Sequence, residues 1–160
     1  MLGNEASGGE ALGILALLKS GPAASMDLLK GLSTPRAAIW RAVAGASQGA
    51  LEDVDANLGL LAPNETEISP RDYNIFVLVL DRSLSTLPEQ LRLLVPRIRS
   101  ADPGSLEAEA RRVSQHCESL LALVMKLEPP EAHRRSHDGR RLAQSLLFQS
   151  ARETLAFAIG

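Results

Sequence analysis

The 160-residue sequence predicts a mainly α fold, and three observations carry that prediction. Aromatic residues make up only 3% of the chain, so its core is built from Leu, Val, Ile and Ala, a composition that favours packed helices over sheets. Leu106, Ala110, Val113, Cys117, Leu120, Val124 and Leu127 alternate by four and three, the seam of a long helix packed lengthwise on others. Finally, several segments open on Ser or Thr followed by Pro and close at Gly or Pro, as helices do.

Residues 1–9 (MLGNEASGG) read as a frayed start, after which Leu12, Leu15 and Leu18 mark a first helix ending at Gly21-Pro22. Ser25 is an N-cap candidate for a short second helix carrying Met26, Leu28 and Leu29 and closing near Gly31. Ser33 can cap a third, with Pro35 in its first turn and Ile39, Val43 and Ala46 on its inner face.

From Gly49 to Ile68 the helical period disappears. Residues 50–54 and 58–61 suit the arms of a small hairpin turned at Asp55-Ala56-Asn57, and Thr66-Glu67-Ile68 suits a further extended piece. Ser69-Pro70-Arg71-Asp72 has a cap, a Pro at the first helical position and an acid three residues after the cap, so residues 75–80 are expected to begin as helix. Their β-branched and aromatic content suits a buried strand nearly as well. Thr86-Leu87-Pro88-Glu89 reads as a capping box opening a further helix with Leu87, Leu91, Leu94 and Ile98 on one face. Pro96 predicts a kink or early stop there, and Asp102-Pro103-Gly104 a break before the long seam. Pro129-Pro130 ends that seam. The last segment is polar and basic at first (HRRSHDGRR, 133–141), then apolar on nearly every face from Leu142.

The net charge of −2 hides an asymmetry: residues 1–70 carry −4 and residues 71–160 carry +2. A strong basic footprint of the kind that binds nucleic acid is missing. One cysteine, Cys117, excludes an intrachain disulfide framework, so a cytoplasmic location is expected. The apolar run 11–18 is too short for a membrane span and lacks the basic flank of a signal peptide.

Chemistry-bearing constellations are sparse. Adjacent helical residues such as His116 and Cys117 point about 100° apart, so Cys117 reads as part of the seam and His116 as a surface residue beside Glu109 and Arg112. His133 and His137 stand at i and i+4, but two arginines and no glutamate lie between them; a solvated basic helix start is the better reading than a metal site. Arg134, Arg135, Arg140 and Arg141 form the densest basic patch, which could grip phosphates or an acidic protein surface. No Gly-rich phosphate loop, paired-carboxylate constellation or Ser/His/Asp set is visible, which argues against an enzyme and against any metal or organic cofactor.

The string GLSTPRAAIWRAVAGASQGAL (31–51) resembles a helix-turn-helix leading into a wing strand, and EISPRD (67–72) resembles the point where such a wing ends. Over residues 10–72 the layout resembles the winged-helix regulators of the MarR family. That resemblance implies a winged-helix-like module over 10–70, a helical dimerisation region over 71–160, and Arg36, Ala37, Trp40 and Arg41 directed toward the major groove of duplex DNA, while Trp40 read by itself suits a core position. A homodimeric transcriptional regulator is therefore expected. The alternative is a non-enzymatic helical adaptor or assembly protein whose N-terminal module contacts protein, suggested by the acidic wing (Glu52, Asp53, Asp55, Glu65, Glu67). In either case Leu142, Leu146, Leu147, Leu155 and Phe157 are expected at a dimer interface.

Overall fold

The computed structural model describes residues 2–97 and 103–159, with side chains described over 8–85 and 107–153 and at Ala156. Among the described residues seven α-helices follow in order: α1 (Leu2–Lys19), α2 (Pro22–Leu29), α3 (Pro35–Ser47), α4 (Leu51–Leu58), α5 (Pro70–Arg97), α6 (Pro103–Lys126) and α7 (Arg134–Ile159). Short 3₁₀ turns at Pro63–Glu65 and Glu131–His133 precede α5 and α7. The mainly α expectation holds, and no strand occurs among the described residues.

The third helix is the hub. It touches α1, α2, α4, α5 and α6, and every residue from Ala37 to Ala46 except Arg41 is buried. Its small side chains explain this: Ala, Gly and Val let helices approach from several sides. The expected inner face of Ile39, Val43 and Ala46 is buried as read. The cap is Thr34 rather than Ser33, its hydroxyl accepting the Ala37 N–H at 3.1 Å, with Pro35 next to it at the first helical position.

Four expectations of the N-terminal half are corrected. The first helix reaches back to Leu2, and it buries Ile14 and Leu17 while Leu12 is 56% exposed. In a run as uniformly apolar as ALGILALL, spacing could not choose the face. Ser25 lies inside α2, not before it; its hydroxyl donates to the Gly13 carbonyl at 2.7 Å. The chain turns into α2 at Gly21, whose φ of 105° favours glycine. The wing hairpin is a helix, α4: Leu51, Val54 and Leu58 share a helical spacing, Val54 and Leu58 are buried, and Glu52 and Asp53 sit in the first turn where the helix dipole favours acids. Asn57 continues that helix and makes no positive-φ turn.

Helices α1 and α2 cross at Gly13. A Cβ there would overlap Leu29 Cδ2 and stand 2.5 Å from its Cγ, and Leu29 is fully buried. Gly13→Ala is expected to cost about 1–2 kcal/mol, because overpacking outweighs the helix-propensity gain. The check is a lower urea midpoint at unchanged m value.

Residues 66–68 are extended as read. Ile68 N–H donates to the Glu128 carbonyl and Glu128 N–H to the Thr66 carbonyl, both at 2.9 Å, tying the approach to α5 to the end of α6. Residues 75–80 are helical, and α5 begins at Pro70 with the Ser69 hydroxyl accepting the Asp72 N–H at 3.2 Å. That helix then runs through Thr86–Glu89, so no separate helix opens at the capping-box signal. Pro88 removes only its own bond, to the Leu84 carbonyl, and one missing bond does not end a 28-residue helix. The expected face of Leu87, Leu91, Leu94 and Ile98 lies outside the described side chains. The α6 seam is buried from Ala110 through Val113, Cys117, Leu120, Val124 and Leu127, and side chains from α1 to α7 join in one core cluster.

Candidate functional site

Asp72 organises the buried polar centre. The residue is 3% exposed, yet it carries a carboxylate, and its oxygens are filled: Arg36 Nε and Nη2 donate to it at 2.7 and 2.8 Å as a fork, and Trp40 Nε1 donates at 3.0 Å. Arg36 also donates from Nη1 to Glu10 at 3.1 Å, and the Thr34 hydroxyl donates to the other Glu10 oxygen. Burial works against the Asp72 charge, but the Arg36 and Trp40 hydrogen bonds outweigh it and hold the carboxyl below its usual range. The bond to Asp72 likewise raises the Arg36 guanidinium above its ordinary value.

The four residues that the winged-helix resemblance directs toward DNA are placed here. Ala37 and Trp40 are buried, Trp40 to 1% exposure. Arg36 is committed to Asp72 and Glu10. Arg41 reaches back into the fold, donating to Asn57 Oδ1 at 2.8 Å and to the Leu29 and Leu32 carbonyls at 2.8 and 2.6 Å. It closes the end of α2 and holds α4 against α3. The helix read as a surface reader is the one most enclosed by its neighbours, which is why its tryptophan packs inward.

The basic cluster at the start of α7 is mostly paired. Arg140 meets Asp81 at 2.7 Å, and Arg134 meets Glu131 at 3.2 Å. Arg141 donates to the Val124 and Leu127 carbonyls at 3.0 Å and approaches Glu128 and Asp138 at 3.4 Å. It thereby satisfies carbonyls that the end of α6 leaves open. Arg135 is exposed.

His137 corrects the solvated reading of this segment: it is fully buried. Its Nε2 lies 2.9 Å from the Val124 carbonyl and its Nδ1 3.0 Å from the Tyr73 hydroxyl. A carbonyl can only accept, so the proton sits on Nε2 and Tyr73 donates to Nδ1. Burial keeps the ring's pKa below the ordinary histidine value. His133 stacks on Tyr73 with ring centres 4.7 Å apart, so the i, i+4 pair clamps a tyrosine. No group of three or more potential ligands suited to a metal occurs among the described residues.

Cys117 is buried in the seam, its thiol pushed up to about 11 by burial, as suits an inert core residue. His116 departs from its surface reading: it packs on Gly49, and its Nε2 is buried without a hydrogen-bond partner.

The outward face of α7 carries two exposed leucines among polar residues. Leu142 and Leu146, one turn apart, are 64% and 58% exposed, and Met125 at the end of α6 is 52% exposed. Leu147 is half-buried and packs against the core, as does Phe148, whose ring lies 5.6 Å from the Arg152 guanidinium. The side chains of Leu155 and Phe157 lie outside the described residues. The juxtaposition of Met125 with α7, and the identity of the two outward leucines, had no local signature in the sequence. No described helix is long and apolar enough to cross a membrane. Comparisons with protein-family models, with curated proteins and with solved structures give no match for this chain.

Proposed function

We propose that the chain is a non-enzymatic helical assembly protein that pairs with a second copy of itself through the outward face of α7, with no metal or organic cofactor. The observation that carries this reading is the exposed Leu142–Leu146 stripe and what flanks it. On a helix, Arg135, Leu142, Leu146 and Glu153 fall within an arc of about 40°. A two-fold axis at the level of Gln144, with the helices antiparallel, sets Leu142 against Leu146 of the second copy and Arg135 against its Glu153. The face is therefore self-complementary in both apolar contact and charge, as a two-fold interface requires. Arg135 and Glu153 are both exposed. The commitment of Arg36 and Arg41 inside the fold supports protein contact over DNA contact as the chain's role.

Light scattering on size-exclusion fractions tests the pairing. Leu142→Glu with Leu146→Glu is expected to weaken dimerisation at least about 100-fold, since four carboxylates would enter one apolar contact. Arg135→Glu alone and Glu153→Arg alone should each weaken it about tenfold. Combining the two should restore it. A wild-type chain that is monomeric at every concentration overturns the reading. Titration with duplex DNA at two salt concentrations separates it from the DNA-binding regulator: binding that falls steeply with salt would favour that alternative.

A further inference from the structure

An open cavity of about 390 Å³ lies where the ends of α1 and α3 meet the middles of α5 and α6. Its volume is in the range of small-ligand sites. The polar side chains lining it are Lys19, Ser20, Ser47, Arg82, Ser83 and His116. No carboxylate lines it among the described residues, although acids outnumber bases in the chain as a whole. Local charge is thus opposite in sign to the net charge. The Arg82 Nη1 donates to the Leu18 carbonyl at 3.2 Å, which brings the guanidinium over the end of α1 beside Lys19 and offsets the partial negative charge of that helix end. On the other wall the Ser83 and Ser47 hydroxyls stand 3.4 Å apart, bridging α5 and α3. His116 completes the ring from α6; its Nε2 is closed to solvent and has no hydrogen-bond partner, so a ligand reaches it only when the ring turns toward the cavity. A buried polar atom left unmatched costs about 1–3 kcal/mol, so a site that supplies its partner on binding recovers that cost.

We propose that this cavity is an anion site for a phosphate-bearing small molecule, with Lys19 and Arg82 neutralising its charge, the Ser20 hydroxyl donating to its oxygens, and His116 Nε2 gaining a partner as its ring turns toward the ligand. Burial lowers the His116 pKa, so the free site presents a neutral ring that can donate from Nε2. The only other titratable groups lining the cavity among the described residues are Lys19 from α1 and Arg82 from α5, both cationic at neutral pH. A bound dianion would therefore raise the His116 pKa, and binding would strengthen as pH falls toward that value.

The test is a histidine proton NMR titration of the full chain with inorganic phosphate at constant ionic strength. The expected result is a saturable shift of the His116 ring signals with a dissociation constant in the millimolar range, about 1–10 mM. The His116 pKa should rise in the presence of phosphate. Arg82→Gln and Lys19→Gln, both at exposed positions, should each weaken binding about three- to tenfold while the circular dichroism spectrum is unchanged. A parallel titration with glycerol phosphate distinguishes the source: tighter binding than inorganic phosphate assigns the rest of the cavity to an organic group, and equal binding restricts the site to the free anion. Absence of a saturable His116 shift up to about 50 mM, or a shift that is the same in both variants, overturns the proposal.

Discussion

Replacing Asp72 by alanine is expected to destabilise the protein by about 3–4 kcal/mol, because it strands a guanidinium and an indole N–H that its carboxylate now satisfies. Arg36 retains Glu10 and some solvent, its side chain being 32% exposed, which keeps the cost below that of a fully enclosed charge. For a chain of this size the loss corresponds to a melting temperature lower by about 10 °C. Asp72→Asn should fall between: an amide oxygen in the place of Oδ2 still accepts from Trp40 and from Arg36 Nε, but the charge is lost and the amide NH2 meets the Arg36 Nη2 donor. Trp40→Phe in the Asp72→Ala background should cost less than in the wild type, because their hydrogen bond has already gone, and a double-mutant cycle reads that coupling. The pH dependence has a defined sign. A carboxyl held below its ordinary range contributes stability that is present above that range and lost as pH falls toward the folded-state value. Asp72→Ala should remove that part of the acid transition, and a variant within about 0.5 kcal/mol of wild type would refute the organising role given to this residue.

The second large effect is expected at His137, at milder pH. Its folded-state pKa lies below the ordinary value of 6.5, so the unfolded chain takes up a proton first as pH falls. Stability is then full above about pH 6.5 and declines below it, by at most about 1.4 kcal/mol per pH unit for each such histidine, until the folded value is reached. His116 acts in the same direction because burial lowers its pKa too. Protonating Nδ1 would set two donors, the ring N–H and the Tyr73 hydroxyl, against each other at 3.0 Å unless the hydroxyl turns away. His137→Gln should flatten the dependence of unfolding free energy on pH between about 6.5 and 5 by up to one proton. Tyr73→Phe keeps the aromatic stack with His133 but leaves Nδ1 unmatched, and should cost about 1–3 kcal/mol at pH 7. A wild-type urea midpoint that does not change over this interval would contradict a neutral, buried His137.

Much of the helical order was legible before any coordinates, for reasons that are local. The α6 seam was readable because four-three spacing on one long element leaves a single face to bury. The Pro35 and Pro70 helix starts were readable because a proline in the first turn loses no hydrogen bond. Residues 51–58 were misread because Asp55-Ala56-Asn57 reads as a turn in isolation, whereas Val54 and Leu58 bury together only once α3 and α6 are in place. Of the site residues, Leu142 and Leu146 were legible as apolar and in need of cover, but in a segment apolar on nearly every face the outward pair could not be separated from Leu147. Arg36 and Trp40 were recognised as unusual and Trp40 was legible as a core candidate, but nothing near them in the chain announces Asp72, 36 and 32 residues away.

The amino-acid sequence by itself determined the helical class, the helix starts at Pro35 and Pro70, and the buried seam of α6. Each of these is decided within a few turns of one chain segment, by steric limits on the backbone and by periodic apolar surface. Only the tertiary structure decided that α3 is the enclosed hub, that Asp72 is an internal ligand for Arg36 and Trp40 as well as part of a helix start, and that His137 is neutral in the core. It also decided that Lys19, Arg82 and His116 face one cavity. These properties depend on which side of a helix meets which neighbour, and the energies that choose among sides come from contacts between segments that are distant in sequence.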